Sequence, residues 1–146
     1  MFLHVKAKRK LKQHYTLNSS SYALLGVVSH WKENKMAMVF NTDFGFQFQK
    51  SDSILAKRKA ASPLAFPLFV YEEESTTTLF RLVSNRTADG VLMKAYRHFD
   101  FLLEIEGDFA QNYADKLLNE LKQKKEVIAS GILSSTDGLR AGLLSS

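Results

Sequence analysis

The stretch HFDFLLEIEG, from His98 to Gly107, decides the fold that the sequence predicts. Large apolar residues occupy every second position in it, namely Phe99, Phe101, Leu103 and Ile105. Because successive side chains of a β-strand point to opposite faces, this period of two places the four apolar side chains together. Asp100, Glu104 and Glu106 share the other face. The stretch therefore predicts a central strand with one face in the core and one face in water.

An amphipathic helix is predicted directly after this strand. Its apolar positions recur every four residues at Phe109, Tyr113, Leu117 and Leu121, with Ala110, Ala114 and Leu118 beside them. Asp108 is predicted to cap the N-terminus, with Gln111 completing an approximate capping box. The apolar side of the helix can close over the apolar face of the strand. The two elements together are predicted to form the core of the domain.

The residues before the central strand predict further strands and two short helices. Leu11 to Leu17 alternates as a strand, and Phe44 to Phe48 alternates in the same way. Between them, one helix is predicted through Tyr22, Leu25 and Val28. A second is predicted to start near Ser29 or His30 and to end at residues 41–45, which would make an αα-hairpin. Ser51 to Ser62 is rich in charged and small residues and predicts an exposed loop.

The remaining segments predict hairpins and a last strand. Leu64 to Tyr71 and Thr77 to Val83 are rich in β-forming residues and predict a hairpin. Pro63 and Pro67 predict that its first strand lies at an edge or begins after Pro67. A turn is expected at Asp89 and Gly90, and Val127 to Leu133 predicts the last strand.

The predicted fold class is α+β. We expect one domain over residues 1–133, with a mainly antiparallel or mixed sheet of about five strands. The C-terminal helix and the N-terminal helix pair are expected to pack on the same face of that sheet. Residues 134–146, rich in Ser and Gly, predict a flexible C-terminal tail.

Composition narrows the classes of function. The 146 residues include no cysteine, which excludes disulfides, thiolate metal sites and cysteine nucleophiles. No apolar run has the length of a signal peptide or a membrane span, so we expect a cytoplasmic protein without a membrane partner. The four histidines are scattered and the glycines never gather into a phosphate-binding loop. The sequence therefore predicts no catalytic residue, metal site or cofactor.

Three longer stretches resemble a known family. They are SHWKENKMAMVFN from Ser29 to Asn41, FPLFVYEEE with the following FRLVSNR, and MKAYRHFDFLLEIEG from Met93 to Gly107. In wording and order they resemble the IPExxxVDY family, small uncharacterised proteins found mainly in Bacteroidetes. Phe99, Asp100 and Phe101 match the Val, Asp and Tyr of the naming motif, whereas the proline and glutamate of that motif are replaced by Lys94 and Ala95. The resemblance implies a shared fold and carries no established activity.

Asp100 is the candidate binding residue that the sequence singles out. Flanked by two phenylalanines, its carboxylate needs hydrogen bonds or a cation if it is shielded from water. We expect backbone N–H groups, or Arg97 or Arg81, to supply them and to hold the segment from Met93 to His98 against the sheet. The alternative is an enzyme with Asp100 at its centre, in which the three carboxylates of the strand do metal or acid–base work. A solvated strand face partly paired with arginines is the simpler interpretation.

Two basic clusters offer a different binding function. The net charge is +5, and most of the excess lies at Lys8, Arg9, Lys10 and Lys12 and at Lys57, Arg58 and Lys59. They predict either solvated surface or a site for nucleic acid or a small anionic ligand. The leading hypothesis from the sequence is nevertheless a non-enzymatic protein-binding or adaptor domain that uses an exposed strand edge, with self-association as a further option.

Overall fold

The computed structural model describes residues 21–58 and 61–133. The elements in chain order are β1 (Tyr22–Ser29), α1 (Glu33–Asp43), β2 (Gln49–Arg58), β3 (Ala61–Glu73), β4 (Thr78–Ser84), β5 (Arg86–Thr87), β6 (Gly90–Val91), β7 (Phe101–Glu106), α2 (Ala110–Lys122) and β8 (Val127–Leu133). A 3₁₀ turn, Lys94–Tyr96, lies between β6 and β7. Within this part of the chain, six strands form one antiparallel sheet in the order β2-β3-β4-β7-β1-β8, and β5 and β6 form a small hairpin. The predicted α+β class is confirmed, with six strands in the main sheet where about five were expected.

The central strand that the alternation predicts is β7. It pairs with β4 on one side and β1 on the other. Phe101, Leu103 and Ile105 are buried in the same cluster as the inward residues of α1 and α2. Both α-helices therefore pack on one face of the sheet, as predicted. Burial of such large apolar side chains contributes roughly 1.5–3 kcal/mol each, so this layer is the main stabilising element.

The opposite face of the sheet is also buried, contrary to the prediction of a solvated face. A second cluster there contains Leu24, Ile54, Phe66, Val83, Leu92, Met93 and Leu102. Tyr96 and Phe99 pack against it from the segment before β7. The prediction that Phe99 shares a face with Phe101 is therefore wrong, because the strand begins only at Phe101. Glu104 and Glu106 are each only 2% exposed. The alternation of β7 indicated which residues share a face, but the water contact of that face depends on segments that fold over it.

The first predicted helix is the strand β1. Its sequence, YALLGVVS, is apolar at nearly every position because β1 lies between β7 and β8 and has buried residues on both faces. Gly26 has a specific role in this strand. A Cβ atom added there would lie 2.6 Å from ring carbons of Phe99, so only glycine leaves room for that ring. The predicted N-terminal helix pair is thus a single helix, α1, at the place of the second one.

Two expectations for residues 44–62 are also wrong. Residues 44–48 form no strand, and β2 occupies most of the stretch that was expected to be a loop. The rings of Phe44, Phe46 and Phe48 surround Phe40 at centroid distances of 5.1, 5.6 and 5.6 Å. Asn41 replaces a neighbouring strand, since its side chain accepts a hydrogen bond from Phe48 N (2.7 Å) and donates one to Phe48 O (3.1 Å).

The prolines lie where the pairing of β2 and β3 is irregular. β3 is not an edge strand, because β2 pairs on its outer side and β4 on its inner side. The register shifts between Ser51 and Ile54, opposite Pro67, and again between Ala56 and Arg58, near Pro63. A residue without a backbone N–H is tolerated at such breaks in the ladder. The hairpin of β3 and β4, the turn at Asp89 and Gly90, and the last strand are confirmed.

The start of α2 differs from the prediction. The helix begins at Ala110, and no side chain caps its N-terminus, so Asp108 is not the cap. Phe109 is 49% exposed and lies outside the apolar stripe, which consists of Ala110, Ala114, Leu117 and Leu121. The predicted strand from Leu11 to Leu17 and the predicted tail at 134–146 lie outside the described residues.

Candidate functional site

Asp100 holds three segments of the chain together. Its Oδ2 accepts a hydrogen bond from Ser29 N at 3.0 Å, and its Oδ1 lies 3.6 Å from Nε of Arg86. Its backbone N–H donates to Val27 O at 2.9 Å, and its carbonyl accepts from Asn85 N at 2.8 Å. The predicted bond from a backbone N–H group is present. The arginine beside the carboxylate is Arg86, and not Arg97 or Arg81, which were the alternative partners.

Asn85 organises the segment that precedes Asp100. It is fully buried, and its side chain donates to Tyr96 O (3.0 Å) and Phe99 O (3.1 Å) and accepts from Met93 N (2.8 Å). All of its side-chain bonds therefore go to backbone groups of residues 93–99. Asn85 was not among the residues that the sequence singled out, since a lone asparagine after a strand is an ordinary turn signal.

Arg81 lies among carboxylates on the face of the sheet opposite the helices. It pairs across the strands with Glu104 and with Glu106, the latter at 2.8 Å, and Tyr22 Oη donates to Glu106 at 2.9 Å. Burial alone lowers the pKa of Arg81, but the two carboxylates outweigh it and raise that pKa. A guanidinium that stays charged balances part of the negative charge of this buried cluster. Arg81 thus forms ion pairs with the two glutamates of β7 and not with Asp100.

Other shifted pKa values lie at the ends of the elements. Burial, followed by the hydrogen bond to Glu73, raises the pKa of Tyr71, while Ser75 and Tyr71 lower the pKa of Glu73. The hydrogen bond from Lys124 is the main cause that lowers the pKa of Asp43. The first contacts lie within β3 and the turn that follows it, and the contact of Lys124 with Asp43 joins the end of α1 to the turn after α2, so both are structural arrangements.

The remaining residues of the predicted sites are dispersed. Arg97 is exposed, and its carbonyl accepts a bond from Nη1 of Arg86 at 2.6 Å. Lys57 and Arg58 are exposed at the end of β2, where Nε of Arg58 donates to Ser62 O at 3.0 Å. The side chain of Lys59 and the cluster Lys8, Arg9, Lys10 and Lys12 lie outside the described residues. In the part of the chain that is described, no three His, Asp or Glu side chains are placed to hold a metal ion.

The two edges of the main sheet are the surfaces open to a partner strand in the described chain. β2 forms one edge and β8 forms the other. β8 reads VIASGIL, carries no charged residue, and exposes Ile128 and Ile132 by 58% and 42%. Its pairing with β1 runs from Leu133 to Ala129 and then skips Ile128. The sequence identified this strand but not its position at an edge.

Comparisons with known proteins assign no family or function to the chain. No family model, no curated protein and no solved structure matches the chain. Membership of the IPExxxVDY family therefore stays a prediction. Across residues 21–58 and 61–133, neither helix has the length and apolar character that crossing a membrane requires.

Proposed function

We propose that this protein is a non-enzymatic protein-binding domain that takes an extended segment of its partner along β8. The observation that carries the proposal is the edge position of β8 together with its apolar, uncharged sequence. An edge strand offers a row of backbone N–H and C=O groups to a further strand. Main-chain hydrogen bonds then provide affinity, and the side chains beside them provide specificity.

The exposed isoleucines support this assignment of the edge. Ile128 and Ile132 both present apolar surface beside the free side of β8. Burial of apolar surface contributes roughly 25 cal/mol per Å², so a partner strand that covers both side chains gains free energy beyond its hydrogen bonds. α2 contacts β8 and β1 on the helix face and keeps β8 in place. The edge is therefore held in position before a partner arrives.

A lysine on β8 tests the proposal. Ile132→Lys places a charge beside the edge, which natural sheets use to prevent strand pairing. The matched control is Leu55→Lys, at a residue of β2 that is 59% exposed. Tagged wild type and both variants are used for affinity purification from cells that express the protein. We expect wild type and Leu55→Lys to retain the same partner, and Ile132→Lys to lose it at least tenfold. Equal retention by all three would refute a β8 site.

Nucleic-acid binding is the alternative function. Lys57 and Arg58 are exposed at the end of the hairpin of β2 and β3, in a chain of net charge +5. Contacts between basic residues and phosphates weaken steeply as salt rises, because bound counterions are released. Fluorescence anisotropy with single- and double-stranded oligonucleotides across a salt series tests this alternative. Affinity that falls steeply with salt and is reduced by Lys57→Glu would favour it over β8 pairing.

A further inference from the structure

We propose that the strand bound along β8 is β8 of a second copy of this chain. The two main sheets would then join around a two-fold axis at Ser130 and form one continuous antiparallel sheet. The inference rests on the proposed function, since it names the partner of the same edge. Two-fold dimers use the same surface on both subunits, so the surface must be complementary to itself.

The sequence of β8 is complementary to itself in antiparallel register. Pairing around Ser130 places Ala129 opposite Gly131. Beyond these residues the bulge at Ile128 turns Val127 to the helix face, while Leu133 lies on the other face. Ala129 and Gly131 are both small, and no residue of β8 is charged. The two-fold axis would therefore have small residues on both sides of Ser130 and would oppose no like charges.

Ser130 lies on the proposed axis and has an unused hydroxyl. Its Oγ is buried without a hydrogen-bond partner in the described chain. A buried hydroxyl that makes no hydrogen bond has a cost in free energy. Directly opposed residues of antiparallel strands have Cβ atoms about 4.5–5.5 Å apart, so rotation about the Cα–Cβ bond brings the two Ser130 hydroxyls within reach of each other. The dimer would satisfy a group that the single chain leaves without a partner.

The opposite edge does not offer this complementarity. β2 includes Lys50, Asp52, Lys57 and Arg58, and its pairing with β3 is irregular at two places. One strand pair buries less surface than a standard stable interface of about 1,600 Å². The β8 dimer is therefore expected to form reversibly and to depend on protein concentration. Sedimentation equilibrium of the full chain should show an apparent mass that rises from one chain toward two.

Single cysteines test the register directly, because the chain contains no other cysteine. Cα atoms of opposed residues are about 4.5–5.5 Å apart, within the range of a disulfide. In a glutathione redox buffer, Ser130→Cys is expected to form a covalent dimer. Ile128→Cys alone is expected not to, because its counterpart lies four residues away along the strand, roughly 13 Å at about 3.3 Å per residue. A mixture of Ala129→Cys with Gly131→Cys is expected to link.

Leu55→Cys is the control for random collisions, since Leu55 is exposed on the other edge. Equal linking of Leu55→Cys, Ser130→Cys and Ile128→Cys would overturn the proposed register. A wild-type chain that stays monomeric at millimolar concentration would overturn the dimer. Hydrogen exchange then shows why such a chain stays monomeric. If the β8 amides that do not bond to β1 are protected in that monomer, residues outside the described range cover the edge and the proposed function fails as well. If they exchange freely and Ile132→Lys still loses a partner, that partner is a different protein and only the dimer is wrong.

Discussion

The two edge strands of the main sheet differ in almost every property that controls strand pairing. β2 is ten residues long, exposes several charged side chains, and is irregular at two places. β8 is seven residues long, has no charge, and exposes Ile128 and Ile132. Charges and irregular register prevent an edge from pairing with another chain. β2 carries both of these protective features and β8 lacks charge altogether, which is why β8 is the edge proposed to bind.

The two edges are also anchored differently. The outer half of the hairpin of β2 and β3 extends past the pairing of β3 with β4, and it is held by Ile54 and Phe66 against the face opposite the helices. β8 is held by β1 along its length and by α2 on the helix face. An exposed edge can thus be kept in place by side chains beneath a hairpin or by a neighbouring strand and helix. The following variants separate these two cases.

The largest effect is expected from Phe66→Ala. Phe66 is fully buried on β3, and its removal should lower the free energy of unfolding by about 3–5 kcal/mol. Amide exchange should increase in β2 much more than in β8, because Phe66 anchors only the first of these edges. Chemical denaturation and hydrogen exchange measure both quantities. Leu55→Ala, at an exposed position of the same hairpin, should stay within about 0.5 kcal/mol of the wild type.

The second-largest effect is expected from substitution of Asp100, because its carboxylate accepts a hydrogen bond from the end of β1. Asp100→Asn is expected to lower the free energy of unfolding by about 1–3 kcal/mol, and Asp100→Ala by more, since Ser29 N then loses its acceptor. Arg86→Ala removes the partly exposed ion pair and the exposed hydrogen bond to Arg97 O, and should cost about 1 kcal/mol. Thermal unfolding measures all three. Wild-type stability of both Asp100 variants, combined with loss of partner binding, would show that Asp100 acts in function and not in structure.

Two glycines that face each other in β1 and β8 should respond in opposite directions. Gly26→Ala places a methyl group against the Phe99 ring and should lower the free energy of unfolding by about 1–3 kcal/mol. Gly131, its partner in the register, has open space around it and no positive φ. Gly131→Ala should therefore raise stability by about 0.4–1 kcal/mol. Urea unfolding of the pair compares a strand covered on both sides with an edge strand, and equal effects would remove that distinction.

The smallest effect concerns the turn before β8. Nζ of Lys124 lies 2.5 Å from Oδ2 of Asp43 and lowers the pKa of that carboxyl, and Thr42 adds to the shift. Because the folded-state pKa lies below the unfolded value, the contact contributes stability above the unfolded pKa and loses it as pH falls through the folded value. An NMR titration should give Asp43 a lower midpoint in the wild type than in Lys124→Gln. Identical midpoints would show that the contact does not form in solution.

Local patterns in the sequence predicted several elements well. The alternation in β7 identified a central strand and three of the four residues predicted to face the helices, whereas Phe99 packs on the opposite face. The four-residue spacing identified α2, and the β-rich runs identified the hairpin of β3 and β4 and the last strand, β8. These properties depend on which side chains share a face of one element, and that follows from the geometry of the element alone. The sequence by itself therefore determined the α+β class and one side of the core.

The tertiary structure decided which residues pack on the other surfaces of these elements. YALLGVV became a strand because β7 and β8 flank it, and Gly26 was required because Phe99 packs on it. Phe44, Phe46 and Phe48 alternate without forming a strand. Asn41 hydrogen-bonds the backbone of Phe48, and the three rings pack around Phe40. The burial of Glu104 and Glu106, the choice of Arg86 for Asp100, and the edge position of β8 depend on residues distant in sequence. A local pattern in the sequence indicates whether one face of an element is polar or apolar. Which other elements pack on that face depends on the free energy of the whole folded chain.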